Sequence, residues 1–315
     1  MPEWTKPTTP PVRIAFVIFD QFSNLCLANC LEPLRATNTL NGAAVFDWQI
    51  LSIDGAPGLS SSGMQVLPDA ALPDLAPCDY LFVLASYAHD THDTPAIRRA
   101  LRQAAAKARF TVGMDAAPWL LASAGLLEGR RATVHWDLLD AFTEKFLTIE
   151  ADRARVVRDG RVMTCAGAMS ALDLTLGLIA DHAGLAARLD VEALFMRGDP
   201  PVDNPHERGT VTDPLVRRAL AVMRENLEKP LNLQGLSKAL SCQSRTLNRR
   251  FRSRLGAPPG TVYRHLRLSA ARKMLEGSVL SVAEIAVRCG YENPAAMTRA
   301  IKRYYGVTPS GLRQR

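Results

Sequence analysis

A chain of 315 residues, 47% hydrophobic and 22% charged, is too long for one small module and too apolar to remain unfolded, so about two domains are expected. The net charge of +7 hides a division, because residues 213–315 hold 20 Lys and Arg against 6 Asp and Glu while residues 1–212 hold 18 against 25. A basic C-terminal third on an acidic, more apolar body points to a polyanionic partner for that third and a different task for the rest.

A proline-rich tail over residues 1–11 opens the chain and is expected to be flexible. It lacks a charged segment followed by an apolar one, and the run Val12 to Phe19 is about half the length of a membrane span, so no membrane partner and a cytoplasmic location are expected. That same β-branched and aromatic run has the character of a strand buried on both faces. A helical stretch from Asn24 to Leu40 follows. Phe46 to Ile53 reads as the next strand, and Tyr80 to Leu84 and Phe110 to Val112 as two more, with helical Pro95 to Ala108 between them. Alternating strands and helices predict an α/β fold, a mostly parallel sheet sandwiched by helices. Ala168 to Ile179 is an apolar helix, and Asp173 argues against a membrane span there. Residues 197–212, with three prolines, two glycines and no hydrophobic period, read as a linker. The domains are therefore placed at 12–196 and 213–315.

Everything after Thr212 looks helical, and it repeats. An offset of 50 residues superimposes Leu247, Phe251, Leu255, Gly256 and Pro259 on Met297, Ile301, Tyr305, Gly306 and Pro309. Each copy has an apolar stripe at i, i+4 and i+8 and a glycine where the helix should end. Shorter helices, Leu233 to Leu240 and Val282 to Arg288, precede them across tight connections. The result is an all-α domain with two helix-turn-helix units. Tyr263 to Leu275 reads as a connecting helix whose stripe is Leu266, Ala270 and Met274.

With Leu247, Phe251 and Leu255 facing inward, Arg245, Arg249 and Arg252 fall on the opposite face and Asn248 at its edge. Arg and Asn read guanine and adenine edges bidentately, so these are candidate DNA-binding residues. In the second unit the candidates are Asn293, Arg299 and, for thymine methyls only, Ala295 and Ala296. A solvated arginine face is the bland alternative for one helix, and duplication together with the +14 charge argues against it.

Residues 213–315 resemble an AraC/XylS-type DNA-binding domain, on Leu236, Arg245, Leu247, Phe251, Gly256, Pro259, Arg267 to Ala271, Glu284 to Ala286, Gly290-Tyr291, Gly306 and Thr308 to Ser310. The resemblance implies base contacts at Arg245, Asn248 and Arg249 in the first unit and at Pro294, Ala295 and Arg299 in the second. Ser237 and Ser241 depart from the usual Ala and Gly, and Met297 and Ile301 from the common Phe. Residues 12 to about 196 resemble the PfpI-like, class-I glutamine-amidotransferase-like domain of the GlxA-like branch. That resemblance rests on Phe19 to Ser23, Glu32 to Arg35, Asp54-Gly55, Ser62-Gly63, Ala122 to Leu127, Arg131 to Trp136, Thr164 to Gly167 and Ala171 to Asp173. It implies a flavodoxin-like fold.

Enzymes of that fold carry a nucleophilic Cys on a sharp strand-to-helix turn. The matching turn here, Thr111 to Pro118, places Asp115 at that position, and a carboxylate is a poor substitute for a thiolate. No catalytic residue, metal or other cofactor is therefore expected. The turn reads instead as a ligand site formed by Asp115, Ala116, His135 and Trp136, suited to a cationic amine through ion pairing and cation–π attraction. The competing reading makes Asp115 a helix cap and Trp136 a core residue. The resemblance implies small nitrogenous effectors. A working nucleophile or redox sensor at Cys165 is the alternative from another class, and a ligand-independent architectural DNA binder is a third. His89 to Asp93 reads as a solvated loop, and Cys26 and Cys30 as packed helix residues.

The expected protein is a DNA-binding transcription regulator, an activator by the resemblance, answering to a small-molecule effector. Its partners would be double-stranded promoter DNA, a second copy of itself as a homodimer, and RNA polymerase by direct contact.

Overall fold

Six of the seven residues of β1 (Val12–Ile18) are buried, as a strand covered on both faces requires. The computed structural model describes residues 4–6, 10–195 and 213–313, so the expected linker and most of the expected tail lie outside the described residues. After β1 the chain enters α1 (Asn24–Asn41), where the Ser23 hydroxyl accepts from Cys26 N and caps the helix. Then come β2 (Phe46–Ser52), the short β3 (Gly58–Leu59), β4 (Gln65–Val66) and β5 (Ala70–Ala71), then β6 (Cys78–Ala85) and α2 (Pro95–Lys107). β7 (Ala108–Asp115) leads at once into α3 (Ala117–Ser123). The short β8 (Arg131–Ala132), α4 (Leu139–Lys145) and β9 (Glu150–Ala151) follow, then β10 (Val156–Asp159), β11 (Val162–Cys165) and α5 (Ala168–Phe195).

Seven strands form one sheet in the order β10-β11-β7-β6-β1-β2-β5, parallel throughout except for the β10–β11 hairpin at one edge. Connections run outward in both directions from the neighbours β1 and β6. Open sheets of this kind bind ligands beyond the carboxyl ends of the strands where the winding reverses. One face of the sheet, through Val17, Leu81 and Val83, packs on Leu101, Leu121 and Phe142 from the covering helices.

Gly184 interrupts α5 with φ +88 and ψ 168, a conformation that costs glycine little. Among the described residues compact packing divides there, with 6–183 in one unit and Trp4, Thr5 and the chain from Gly184 onward in the other. Sequence reasoning put the boundary at 196, because apolar residues continue past the break. They continue because Leu189 joins the C-terminal core, and Ser269 donates to Asp190 Oδ1 at 2.7 Å.

The C-terminal unit contains α6 (Pro214–Glu225), α7 (Leu233–Ala239), α8 (Ser244–Leu255), α9 (Pro259–Gly277), α10 (Val282–Arg288), α11 (Pro294–Tyr305) and α12 (Pro309–Arg313). Leu247, Phe251 and Leu255 are buried in one core, and Met297 and Ile301 in a second. Gly256 and Gly306 end α8 and α11 in the left-handed conformation. The connecting helix α9 differs from expectation, since it serves both cores with two stripes. Val262, Tyr263 and Leu266 enter the first core, and Leu268, Ala271 and Leu275 the second, leaving Ala270 and Met274 half-buried.

Candidate nucleic-acid interface and effector site

Arg245, Arg249 and Arg252 are exposed on α8, with Asn248 half-buried beside them. None of the three arginines makes an ion pair among the described residues. Their neighbours Arg250 and Arg254 lean the other way, to Asp213 Oδ2 at 3.1 and 3.9 Å. Asp213 is only 4% exposed and also caps α6, accepting from Leu215 N and Val216 N. Helix α8 is thus fixed by one arginine pair and presents another set outward. On α11, Ala295 and Arg299 are exposed, while Asn293 Oδ1 accepts from Ala296 N at 2.8 Å. Asn293 therefore serves first as the N-cap of α11, which leaves its amide NH2 and one lone pair of Oδ1 for a base.

The two departures in the first unit have physical accounts. Ser237 is buried and shares a 2.9 Å hydrogen bond with Ser244, which satisfies both hydroxyls. Ser241 occupies the left-handed region at φ +51, where glycine is the unstrained choice.

At the carboxyl ends of the central strands lies a second concentration of unusual geometry. Among the described residues four non-glycine residues have positive φ, and three of them, Gln21, Ala88 and Asp115, follow or end β1, β6 and β7. Backbone strain of this kind gathers at functional sites. Asp115 turns the chain from β7 into α3 at φ +61 and is 9% exposed. Its carboxylate does not cap α3, which has no side-chain cap. Instead Ser86 Oγ accepts from Ser23 N at 2.9 Å and donates to Asp115 Oδ2 at 2.6 Å. The Ser23 amide thereby commits the serine proton to the carboxylate. No other hydrogen bond reaches that carboxylate among the described residues.

Burial pushes the Asp115 carboxyl above its ordinary range, against the pull of the Ser86 hydrogen bond and of His135 and His89. His135 N donates to Asp115 O at 2.9 Å, and its imidazole lies against Gly167, where a Cβ would stand 3.3 Å from Cδ2. Ala116 is buried, and its N–H donates to Ala85 O. Trp136 is 73% exposed, so it is no core residue, and its ring centroid lies 5.3 Å from that of His135. Of the sequence-predicted four, Asp115 and Ala116 form the turn, His135 bonds to it through its backbone, and Trp136 follows His135 with its ring exposed. Sequence reasoning missed Ser86 and Tyr87. Tyr87 follows Ser86 directly and is 69% exposed.

Cys165 lies at the end of β11, register-paired with Met114, and its thiol contacts Met114 Sδ at 3.5 Å. Complete burial pushes it up to about 12. Cys26 and Cys30 are buried as expected, and no metal-ligating cluster occurs among the described residues. Within the expected solvated loop, His89–His92 forms one 3-10 turn, but Asp93 is not solvated. Its buried carboxylate accepts from Arg98 at 2.7 Å and Ser123 at 2.8 Å.

Residues 12–181 match the DJ-1/PfpI family, and residues 236–315 match a helix-turn-helix domain family. The HTH-type transcriptional regulator CdhR of Pseudomonas aeruginosa is 34% identical over 302 residues, covering 94% of this chain and 89% of the relative. The HTH-type transcriptional regulator GlxA of Rhizobium meliloti is 31% identical, covering 96% of each. This chain belongs to that family of regulators.

As an AraC-type regulator with a DJ-1/PfpI domain, it binds DNA through its helix-turn-helix region and controls transcription. An AraC family regulator from Pseudomonas putida of known structure shares the N-terminal fold, with a TM-score of 0.53, 24% identity and coverage of 59% of this chain and all of that one. No helix among the described residues is long and apolar enough to cross a membrane.

Proposed function

We propose that the DJ-1/PfpI domain is the regulator's sensor and that Asp115 receives a small cationic, nitrogenous metabolite. The carrying observation is a buried carboxylate, held at a strained turn by a single hydroxyl, at the end of a central strand. A buried carboxylate without a cationic partner is costly, and an ammonium group would offset that cost. Tyr87 and Trp136 each follow a residue that touches Asp115, and both rings are exposed, which supports an aromatic surround for the cation.

The same geometry weighs against catalysis in this domain. The turn carries Asp115 where a nucleophilic Cys would stand, and the deeply buried, high-pKa Cys165 favours neither attack nor redox sensing. Arg245, Asn248, Arg249 and Arg252 read one major-groove segment, and Ala295, Arg299 and the Asn293 amide read the next. The regulator acts as a cytoplasmic homodimer on promoter DNA, and effector binding shifts the population that holds the DNA.

Thermal unfolding of the full chain with choline, betaine, carnitine and polyamines, beside uncharged analogues, tests the reading. A ligand at about 100 times its Kd adds about 2.7 kcal/mol. The expected result is a midpoint shift confined to the cations and absent in Asp115→Asn. Equal shifts in the variant would place the ligand elsewhere.

A further inference from the structure

Within the C-terminal unit, a cavity of about 700 Å³ opens along α9 and α11, with Trp4 and Thr5 as a third wall. Its floor is the buried Leu268 and His265, with the aromatic rings of Trp4 and Tyr304 beside them. His265 is 1% exposed, its Nδ1 is 2.6 Å from the Tyr304 hydroxyl, and its ring meets Trp4 edge-on at 5.2 Å. Behind it, Nε2 stands 3.0 Å from Asp190 Oδ1, within ion-pair distance but not aligned for a hydrogen bond. Both ring nitrogens thus face protein groups, and the floor is pre-formed.

The rim has a different character. Arg264 from α9 and Arg299 and Arg303 from α11 line the opening, all exposed, with no carboxylate in the lining and no ion pair to any of the three among the described residues. Three like charges around one opening repel unless an anion joins them, and planar guanidinium groups match carboxylate and phosphate oxygens bidentately. The volume is that of a small-molecule site.

We propose that this cavity is a second binding site, for a small organic anion whose apolar body lies on Trp4, Leu268 and Tyr304 and whose carboxylate or phosphate is held by the three arginines. Arg299 belongs to both this rim and the candidate base-reading face. A bound anion therefore competes with promoter DNA, and it does so without involving Asp115.

Calorimetric titration of the full-length regulator with phenyl phosphate, beside inorganic phosphate and phenol, tests this. One saturable site per chain is expected for phenyl phosphate, with both fragments at least about tenfold weaker. Arg264→Gln and Arg303→Gln should each weaken phenyl phosphate about tenfold, with circular dichroism confirming the native fold. In the wild type, phenyl phosphate should lower affinity for a promoter duplex as its own site fills. Unchanged phenyl phosphate affinity in both variants overturns the proposal, as does the absence of saturable binding at about 10 mM. A uniform loss of affinity for scrambled duplex in both variants, with no phenyl phosphate binding, also overturns it and assigns these arginines to the DNA backbone.

Discussion

At the turn of the first helix-turn-helix unit stands Ser241 with φ +51, and at the matching turn of the second stands Gly290 with φ +68. A Cβ on Gly290 would fall 2.5 Å from Leu227 O and 2.7 Å from Pro230 Cδ, so the second turn is packed against the chain between α6 and α7. Arg267 adds to that packing, donating to Cys289 O and Gly290 O while its guanidinium lies 4.3 Å from the Tyr291 ring centroid. The second unit also has a complete capping box, Ser281 with Glu284, and the Asn293 cap. The first unit has a strained turn, but its recognition helix presents three arginines and an asparagine against Arg299 and an already engaged Asn293. Two copies of one frame thus differ, the second in local rigidity and the first in the number of polar groups that its exposed helix face presents.

The largest expected effect falls on the rigid copy. Gly290→Ala combines a left-handed backbone with a collision against main chain, and should cost about 3 kcal/mol or more in chemical unfolding. A loss below about 1 kcal/mol would mean that the α6–α7 connection yields easily. Next comes the reading copy. Arg249→Ala should weaken a selected operator by about 1–3 kcal/mol in fluorescence anisotropy while sparing scrambled duplex. Arg299→Ala should cost less sequence discrimination, and a reversed order would undo the proposed division. Smallest is the strained turn, where Ser241→Gly should stabilise the protein by about 1 kcal/mol.

Asp115 extends the contrast between stability and task to the sensor domain. Its carboxyl has a higher pKa folded than unfolded, so the associated stability is present below the unfolded value of about 3.9 and is lost as pH rises through the folded value. Asp115→Asn should therefore raise the ligand-free unfolding midpoint at pH 7 relative to the wild type and change it little near pH 3. A lower midpoint for the variant at pH 7 would mean that the charge supports the fold.

Much of this was legible in the sequence, for reasons that differ by region. The 50-residue repeat exposed the frame of the C-terminal unit because buried helix stripes and left-handed C-caps leave few residue choices at fixed spacings. The parallel strands β1, β2, β6 and β7 were legible as apolar runs, most of whose residues are buried in β1, β6 and β7, whereas the two-residue β5 was not. The β10–β11 hairpin was missed, since Val156–Asp159 and Val162–Cys165 are short and surrounded by charge. The α5 boundary was missed because one glycine separates two apolar stretches that pack into different cores. Around the proposed effector site, the sequence singled out Asp115 and His135 by motif position, but Ser86 is a lone hydroxyl after a strand. Only folding brings it within 2.6 Å of the carboxylate.

The most direct test of the sensor assignment is operator binding by fluorescence anisotropy, comparing wild type with Asp115→Asn as the amine that shifts the unfolding midpoint is titrated. The account predicts that the amine changes operator affinity in the wild type and leaves the variant, which still binds DNA, unresponsive. The same response in both proteins would contradict it.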